Sequence, residues 1–473
     1  MRLTVADVMQ ATGGHPEGGP AAAEVIITGV STDTRTLRAG ELFVPLRGPE
    51  RDGHDYIGEA FAKGAAAALT SRRDEPRRRD DAGAGRAPLV RVDDTLRALG
   101  DLAAHYRRTL AVRVVGVTGS VGKTTTAAMC AAALDGTYRV ARTRDAWNAE
   151  IGVPLTVLGL RDGDEVAVIE MAMRGRGQIA DLVRIAAPQI GVVTNIGESH
   201  LELLGSLENV ARAKGELIDG LPSDGTAVLN ADDERVLGLG SRSAAAVVTF
   251  GLASSADVRA EGIVFSDEGM RFRLVRADGA ADIVLKTWGV HSVRNALAAA
   301  AVAQVLRLGV DEVRRGLADW TPPKMRLQPL RAGEILIIND AYNASPASVT
   351  AAFEVLQHVA AGRRRLIVLG EMKELGGQSA ALHRAAGKQA GGAASVLIAV
   401  GGGDAEELAA GAREAGAPTA VHHAADAPAA AACLRTIVRP GDVVLVKGSR
   451  AMAMEQVVEA LLTHPGSHRG ARP

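Results

Sequence analysis

The amino-acid sequence predicts an α/β protein with three domains, and two observations carry that prediction. Two separate stretches alternate short apolar strands with helical segments, which is the pattern of parallel sheets with helices on both faces. A Thr-Pro-Pro sequence at 321–323 interrupts the chain between them, and the first hundred residues are mixed α/β. We therefore predict an N-terminal domain over 1–108, a central domain over 109–322 and a Rossmann-like C-terminal domain over 323–473.

The N-terminal stretch is predicted to contain strands over 25–30 and 41–46 and a helix over 56–63 that ends at Gly64. Residues 72–86 mix both signs of charge with Gly and Ala, which indicates a solvated surface loop. The central stretch is predicted to contain strands over 112–117, 166–171 and 190–195, and helices over 123–134 and 291–308. In the C-terminal stretch we predict strands over 335–338, 366–369, 396–400 and 443–446.

The composition excludes several classes of protein. The 473 residues are 47% hydrophobic and 23% charged, as in globular proteins, and the net charge of −1 argues against a general nucleic-acid binder. Two cysteines, Cys130 and Cys433, provide neither a disulfide framework nor the spacing of a zinc site. No stretch has the pattern of a signal peptide or a membrane span. We therefore expect a cytoplasmic monomer with no membrane insertion.

The strongest functional signal is the sequence GVTGSVGKTT at 116–125, between a predicted strand and a predicted helix. Glycines let backbone N–H groups turn toward a polyphosphate, and the helix N-terminus adds a partial positive charge. Lys123 would reach the β- and γ-phosphates, and the Thr124 hydroxyl would ligate magnesium. The alternative is a glycine-rich turn with a chance Gly-Lys-Thr. We predict nucleotide contacts at Gly119, Ser120, Gly122, Lys123, Thr124 and Thr125.

Polar residues follow two further central strands, at the sheet edge where open α/β sheets bind ligands. Glu170 ends the predicted strand over 166–171, His200 follows the strand over 190–195, and Lys214 lies on the next predicted helix. Taken singly, each is more often structural: a cap, a core histidine or a surface lysine. Together, behind a phosphate loop and in this order, they favour a catalytic site.

The loop sequence TGSVGKT resembles that of the Mur ligase superfamily, and the resemblance implies ATP and Mg²⁺ as cofactors. It implies that Lys214 carries a carbamate, an anionic oxygen ligand of the kind magnesium prefers. Thr124 and Glu170 would then hold one metal ion, and Glu170, His200 and Lys214 a second. The resemblance implies four catalytic residues: Lys123, His200, Lys214 and Arg326.

Later segments resemble the family's contacts to the rest of the nucleotide. The sequence GVHSVRNALAA at 289–299 is similar to a family segment whose asparagine contacts adenine, here Asn295, while Ser292 departs from the family's first asparagine. Arg326 resembles the arginine that reaches the γ-phosphate, a task that suits a planar fork. Asp340, in the sequence NDAYNASP, matches the acid that faces the nucleotide.

Other segments indicate a branch of the superfamily. The sequence STDTR at 31–35 looks like the start of the UDP-binding N-terminal domain. The sequence NAEIGVPLT at 148–156, with Ala149 in place of a family asparagine, resembles the branch that adds D-Ala-D-Ala, as do 369–376 and 446–455. Under this resemblance the substrate contacts are Ser31, Asp33, Thr34, Arg35, Asn148, Tyr342 and Asn343.

The implied reaction joins D-Ala-D-Ala to UDP-N-acetylmuramoyl-tripeptide through an acyl phosphate, with release of ADP and phosphate, in peptidoglycan precursor synthesis. One alternative is a ligase of the same superfamily that adds a single amino acid, although its DNPR motif is missing here. The other alternative is a P-loop ATPase that acts as a switch. The motifs in the flanking domains argue against a switch.

Overall fold

The predicted α/β class with three sheet-bearing parts is confirmed by the computed structural model. The structure describes residues 1–17, 23–72, 87–144, 147–198, 201–266, 269–416 and 418–463. Most of the predicted loop over 72–86 lies outside these ranges. Within them, no helix is both long and apolar enough to cross a bilayer. Cys130 and Cys433 are free thiols, as their separation in sequence predicts.

The N-terminal part contains β1 (Leu3–Thr4), α1 (Val5–Thr12), β2 (His15–Glu17), β3 (Ile26–Ile27), β4 (Gly29–Ser31), β5 (Glu41–Phe43), α2 (Ile57–Ala62), β6 (Ala67–Thr70), β7 (Leu89–Arg91) and α3 (Thr95–Arg108). Its main sheet has the order β2-β7-β6-β5-β4, and only the β2–β7 pair in it is antiparallel. The predicted strand over 25–30 is two strands, because the chain changes partner at Thr28: β3 pairs with β1, and β4 pairs with β5.

The central part contains β8 (Arg113–Thr118), α4 (Lys123–Leu134), β9 (Val140–Arg142), α5 (Gly152–Leu158), β10 (Val166–Glu170), α6 (Gln178–Ala186), β11 (Ile190–Val193), α7 (Leu201–Leu204), α8 (Leu207–Asp219), β12 (Thr226–Asn230), α9 (Glu234–Gly238), β13 (Ala246–Gly251), β14 (Val258–Ser266), β15 (Gly269–Arg276), β16 (Gly279–Leu285), α10 (Val290–Val305) and α11 (Val310–Ala318). Its sheet runs β16-β15-β14-β13-β12-β11-β8-β10-β9. The pairs are parallel from β9 to β14, as predicted, but β14, β15 and β16 are antiparallel. The two connections within this meander are too short for the crossover that parallel strands need.

The C-terminal part contains β17 (Gln328–Ala332), β18 (Ile335–Asp340), α12 (Pro346–Val359), β19 (Arg365–Gly370), α13 (Ser379–Ala393), β20 (Val396–Val400), α14 (Gly403–Glu414), β21 (Ala420–Ala424), α15 (Ala427–Ile437), β22 (Val443–Lys447) and α16 (Glu455–Leu462). Its sheet runs β17-β18-β22-β19-β20-β21, and only the edge pair β17–β18 in it is antiparallel. The carboxyl ends of β18, β19 and β22 therefore meet at one edge of the sheet.

Packing joins the three parts. Helix α3 closes the N-terminal part but shares a hydrophobic core with the central part. The Tyr106 hydroxyl donates to the Leu160 carbonyl (2.8 Å), and Arg107 Nε donates to the Ala186 carbonyl (2.9 Å). Trp288, from the central part, is buried among residues of the C-terminal part. The residue bounds of the three predicted domains stay a prediction.

Candidate active site

The predicted phosphate loop lies between β8 and α4, and its backbone requires two of its glycines. Gly119 has a φ of 149°, and an added β-carbon would overlap the hydroxyl of Thr194. Gly122 has a φ of 86° at the start of α4, and an added β-carbon would lie 2.7 Å from Asn295 Oδ1. Residues with a β-carbon rarely adopt such φ values. The two glycines therefore allow the tight turn that leads from β8 into the N-terminus of α4. A glycine-rich turn followed by a helix N-terminus is an arrangement that binds phosphates.

Residues after the neighbouring strand β11 hold the loop in place. The Thr194 hydroxyl and Asn195 Nδ2 both donate to the Val121 carbonyl (2.7 and 2.9 Å), and the Val121 N–H donates to Asn195 Oδ1 (2.8 Å). The Ser120 hydroxyl exchanges hydrogen bonds with the backbone of Gly197 (3.1 and 2.8 Å). Thr194 and Asn195 were not among the site residues that the sequence predicted, although their place at the carboxyl end of a predicted apolar strand was a usable signal.

Lys123 folds back onto the loop. Its Nζ donates to the carbonyls of Gly119 (2.9 Å) and Ser120 (3.4 Å). Burial lowers the pKa of Lys123, the charge of Glu170 raises it, and the charge of Arg326 lowers it further. Arg326 comes from the C-terminal part, so two cations from different parts of the chain lie close enough for the charge of one to act on the other. Two such cations suit a polyphosphate or a transferring phosphoryl group.

Oxygen ligands converge beside the loop. The Thr124 hydroxyl donates to Glu170 Oε2 (2.7 Å), and Asn148 Nδ2 donates to Glu170 Oε1 (2.9 Å). Glu170 is 2% exposed at the end of β10, and its N–H donates to the Thr143 hydroxyl (2.9 Å). A hydroxyl and a buried carboxylate are the hard oxygen donors that Mg²⁺ takes, so these residues fit that ion. The structure thus brings together Thr124 and Glu170, which the sequence predicted as ligands of one metal ion, and adds Asn148, which it predicted as a substrate contact.

The second predicted metal site is described only in part. His200 lies outside the described residues. Lys214, on α8, is 1% exposed, and its Nζ donates to the Gly119 carbonyl (2.9 Å). Burial holds the pKa of the Lys214 amine well below its usual range, and Lys123 lowers it further. Lys214 is therefore a buried amine at the phosphate loop and not the surface lysine of the alternative interpretation.

Asn295 is also at the loop. It is 7% exposed on α10, and its Oδ1 accepts a hydrogen bond from the Thr126 hydroxyl (3.1 Å). The Ser292 hydroxyl donates to the Trp288 carbonyl (2.9 Å), so the residue that departs from the family pattern connects the first turn of α10 to the chain that precedes it. Thr125 lies in the first turn of α4. The adenine contact of Asn295 stays a prediction.

The C-terminal part presents Arg326 on a compact turn beside β18. The Arg326 guanidinium lies over the ring of Tyr342, 4.0 Å from its centre. Asp340 Oδ1 accepts the N–H of Leu327 (3.1 Å), and Asp340 Oδ2 lies 2.5 Å from Lys447 Nζ. Lys447 Nζ also donates to the Asn343 carbonyl (3.0 Å). Lys447 lies in the segment over 446–455 that resembles the family, but the sequence did not indicate it as a site residue.

The predicted UDP-side residues lie apart from this cluster, in a turn after β4. Asp33 accepts the N–H of Arg35 (2.9 Å) and pairs with its guanidinium (2.6 Å), while the Ser31 hydroxyl donates to the Asp33 carbonyl (2.9 Å). The Thr34 carbonyl accepts from Lys63 Nζ (2.9 Å). The structure therefore groups these four residues with one another and not with the phosphate loop.

Comparison with known proteins places this arrangement in context. Models of the Mur ligase family match three segments: the catalytic-domain model over 26–107, the middle-domain model over 117–303 and the glutamate-ligase-domain model over 325–450. The UDP-N-acetylmuramoyl-tripeptide--D-alanyl-D-alanine ligase of Bacillus subtilis is 35% identical over 462 residues, which cover 98% of each chain. The enzyme of that name from Escherichia coli is 38% identical over 449 residues, with 93% of this chain and 94% of the relative covered.

Solved structures agree with these relatives. A crystal structure of MurF from Acinetobacter baumannii is similar with a TM-score of 0.88 at 28% identity, and covers 98% of this chain and 99% of its own. A crystal structure of MurF ligase from Thermotoga maritima in complex with ADP has a TM-score of 0.81 at 29% identity, and covers 92% and 97%. The likeness thus extends over all three parts of the chain.

Proposed function

The chain belongs to the Mur ligase family, and we propose that it is the ATP-dependent ligase that joins D-Ala-D-Ala to UDP-N-acetylmuramoyl-tripeptide in peptidoglycan precursor synthesis. One observation carries the proposal: relatives of that name match the chain from end to end, and their likeness includes both sides of the site. Because ATP and the UDP-linked precursor are its substrates, we propose that it works in the cytoplasm.

The reaction has two steps at one carbonyl. The C-terminal carboxylate of the tripeptide attacks the γ-phosphorus of ATP, ADP leaves, and an acyl phosphate forms. The free amine of D-Ala-D-Ala then attacks the acyl carbon, phosphate leaves, and the amine loses a proton as the amide forms. A carboxylate is a poor acyl donor, so phosphorylation supplies the leaving group. Lys123 and Arg326 would neutralise the negative charge that develops on the phosphates during transfer.

Thr124 and Glu170 would hold Mg²⁺, which supplies charge neutralisation at the phosphates when bound. Asn148 fixes Glu170 from the other side through the 2.9 Å contact to Oε1. This leaves the second oxygen, Oε2, on the side of Thr124. We propose that Glu170, His200 and Lys214 hold a second metal ion, which is the ligand set that the resemblance implies.

We propose that Lys214 carries a carbamate in the active protein. Carbamate formation joins the amine nitrogen to the carbon of CO₂ and releases a proton, so it needs a neutral amine. The buried Lys214 supplies that amine, because burial lowers its pKa. The product is an anion, and it would lie next to the Lys123 ammonium, since both side chains contact the Gly119 carbonyl.

The remaining predicted contacts fall on the two outer parts. We propose that Ser31, Asp33, Thr34 and Arg35 bind the UDP end, where the exposed Arg35 guanidinium can meet a diphosphate. Tyr342 and Asn343 lie in the segment that follows β18, where the Tyr342 ring contacts the Arg326 guanidinium. That position suits contacts to the dipeptide.

A test of the function measures ADP release with ATP, Mg²⁺ and UDP-N-acetylmuramoyl-tripeptide, with and without D-Ala-D-Ala. We expect the dipeptide to raise the rate at least about tenfold, since the amine consumes the acyl phosphate. Free D-alanine serves as the control for a ligase that adds one amino acid. Lys123→Met verifies that the ADP comes from this site. Release that does not depend on the dipeptide would return the ATPase switch to consideration.

A further inference from the structure

The backbone that carries Arg326 has an unusual conformation. Met325 and Leu327, the two neighbours of Arg326, have φ values of 60° and 47°. Neither is glycine, and this left-handed region is disfavoured for residues that have a β-carbon. Such a conformation persists only where surrounding contacts enforce it, and it is concentrated at functional sites. Some part of the structure must therefore hold this turn.

Three hydrogen bonds hold the turn through its backbone. The Leu327 N–H donates to Asp340 Oδ1 (3.1 Å), and the Met325 N–H donates to Gln328 Oε1 (3.2 Å). The Met325 carbonyl accepts the N–H of Tyr342 (3.2 Å). The Tyr342 ring then supports the Arg326 guanidinium at 4.0 Å. Three of these four contacts involve Asp340 or Tyr342, in the segment over 340–343.

Lys447 is the group that fixes that segment. It ends β22, directly beside Asp340 in the parallel register with β18, and it is 2% exposed. Its Nζ lies 2.5 Å from Asp340 Oδ2 and donates to the Asn343 carbonyl at 3.0 Å. One buried ammonium thus contacts both ends of the segment that carries Tyr342. A charge-assisted bond of this kind is short and directional.

We propose that Lys447 is a positioning residue for Arg326, and that it acts through the Asp340 carboxylate and the turn of Tyr342. Lys447 keeps Asp340 Oδ1 available to Leu327 and holds the Tyr342 ring under the guanidinium. The proposal rests on the function proposed above, in which Arg326 stabilises phosphoryl transfer.

A double-mutant cycle on the full-length protein tests this coupling. Lys447→Gln, Arg326→Ala and the double variant are compared by kcat of ligation and by KM for ATP. We expect Arg326→Ala to lower kcat by about 100-fold or more, and Lys447→Gln by about 10-fold. If Lys447 acts through Arg326, adding Lys447→Gln to Arg326→Ala lowers kcat by less than about 2-fold. Lys447→Arg keeps a cation beside Asp340 and should retain more activity than Lys447→Gln, and it replaces Lys447→Gln in the cycle if that variant does not fold.

Arg364→Gln is the matched control. The Arg364 guanidinium pairs with buried Asp442 (3.1 Å) at the opposite edge of the same sheet, where β19 and β22 begin. Loss of this ion pair should lower the Tm, as we also expect for Lys447→Gln, while kcat stays within about 2-fold of the parent value. A loss of kcat in Arg364→Gln equal to that in Lys447→Gln would reveal a general effect of instability and overturn the positioning role.

The cycle distinguishes the positioning role of Lys447 from the role of Arg326 itself. Equal losses from Lys447→Gln in the parent and in Arg326→Ala would overturn the positioning role and leave the role of Arg326 intact. An Arg326→Ala variant with the parent kcat would overturn the role of Arg326 in phosphoryl transfer, and the positioning role with it. A change in KM for ATP alone, with kcat unchanged, would assign Lys447 to nucleotide binding and also overturn the proposal.

Discussion

The phosphate loop over 116–125 and the turn over 325–327 that carries Arg326, here called the arginine turn, both use backbone conformations that most residues avoid. In the phosphate loop the positive φ values fall on Gly119 and Gly122. In the arginine turn they fall on Met325 and Leu327, which have β-carbons. The loop therefore meets its steric requirement by residue choice, whereas the turn depends on contacts from elsewhere in the chain.

The difference lies in where the supporting residues are. The loop is one contiguous segment, and its principal side-chain supports follow the adjacent strand β11. The turn depends on an ion pair between residues 107 positions apart. A local motif is recognisable in sequence and fails when its own glycines change. A long-range support is invisible as a motif and fails when a distant partner changes.

The largest effect should come from a change within the loop. Gly119→Ala places a β-carbon against the Thr194 hydroxyl at a φ that alanine rarely adopts. We expect a loss of ligation of about 1000-fold and a fall in the free energy of unfolding of roughly 3–5 kcal/mol. The ADP-release assay and urea unfolding measure the two effects, and isothermal titration with an ATP analogue measures nucleotide binding.

Gly175→Ala is the control for that change, since no atom lies within 4 Å of its added β-carbon. It should leave both quantities near the parent values. Normal nucleotide binding by Gly119→Ala would mean that residue choice does not set the geometry of the loop, and the contrast with the arginine turn would be lost.

A second prediction concerns Lys214, the buried amine that contacts the phosphate loop. Lys214→Met removes a group whose charge is disfavoured by burial, so we expect the free energy of unfolding at pH 7 to rise by on the order of 2 kcal/mol in CO₂-depleted buffer. Ligation should fall by about 100-fold, because the proposed metal ligand is lost. Urea unfolding and the ADP-release assay measure the two quantities.

The pH dependence of the free energy of unfolding tests the direction of the Lys214 pKa shift. Its pKa is lower in the folded protein, so the unfolded chain binds more protons and stability rises with pH up to the usual lysine range. Lys214→Met should flatten that rise between pH 7 and 9 without abolishing it, since the pKa of Lys123 is lowered as well. A less stable Lys214→Met protein with an unchanged slope would contradict the prediction.

The smallest effect is expected at His291, in the first turn of α10. Burial lowers its pKa to about 4; Asp340 raises that pKa, while Lys447 and Arg294 lower it. Because the folded pKa lies below the unfolded value, stability is complete above about pH 6.5 and falls as the pH drops toward 4. Between pH 7 and 5 we expect the protein to lose roughly 1–2 kcal/mol through this group.

His291→Gln should remove that part of the acid-side loss, as measured by urea unfolding at several pH values. His15→Gln, at an exposed histidine of the N-terminal part, is the control and should leave the slope unchanged. An unaltered slope in His291→Gln would mean that burial between the central and C-terminal parts does not govern this group.

The sequence predicted most of the residues in and beside the phosphate loop, but it did not predict the contact that supports the arginine turn. Gly119, Gly122, Lys123 and Thr124 stand in one contiguous pattern, and Glu170 ends a strand whose apolar run is plain in the sequence. Lys447 ends a strand in the same way, but nothing in the sequence says that β22 lies next to β18. Only that register brings Lys447 to Asp340.

By itself, the sequence determined the α/β class, the phosphate loop and the acid beside it, because strand periodicity and the sterics of glycine act over a few residues. It also carried enough motifs to indicate the family. The tertiary structure alone decided the antiparallel meander from β14 to β16, the burial of Lys214 against the loop, and the support of Arg326 by Lys447. These features depend on which strands become neighbours and on which side chains lose water, and both are set by packing across the whole chain.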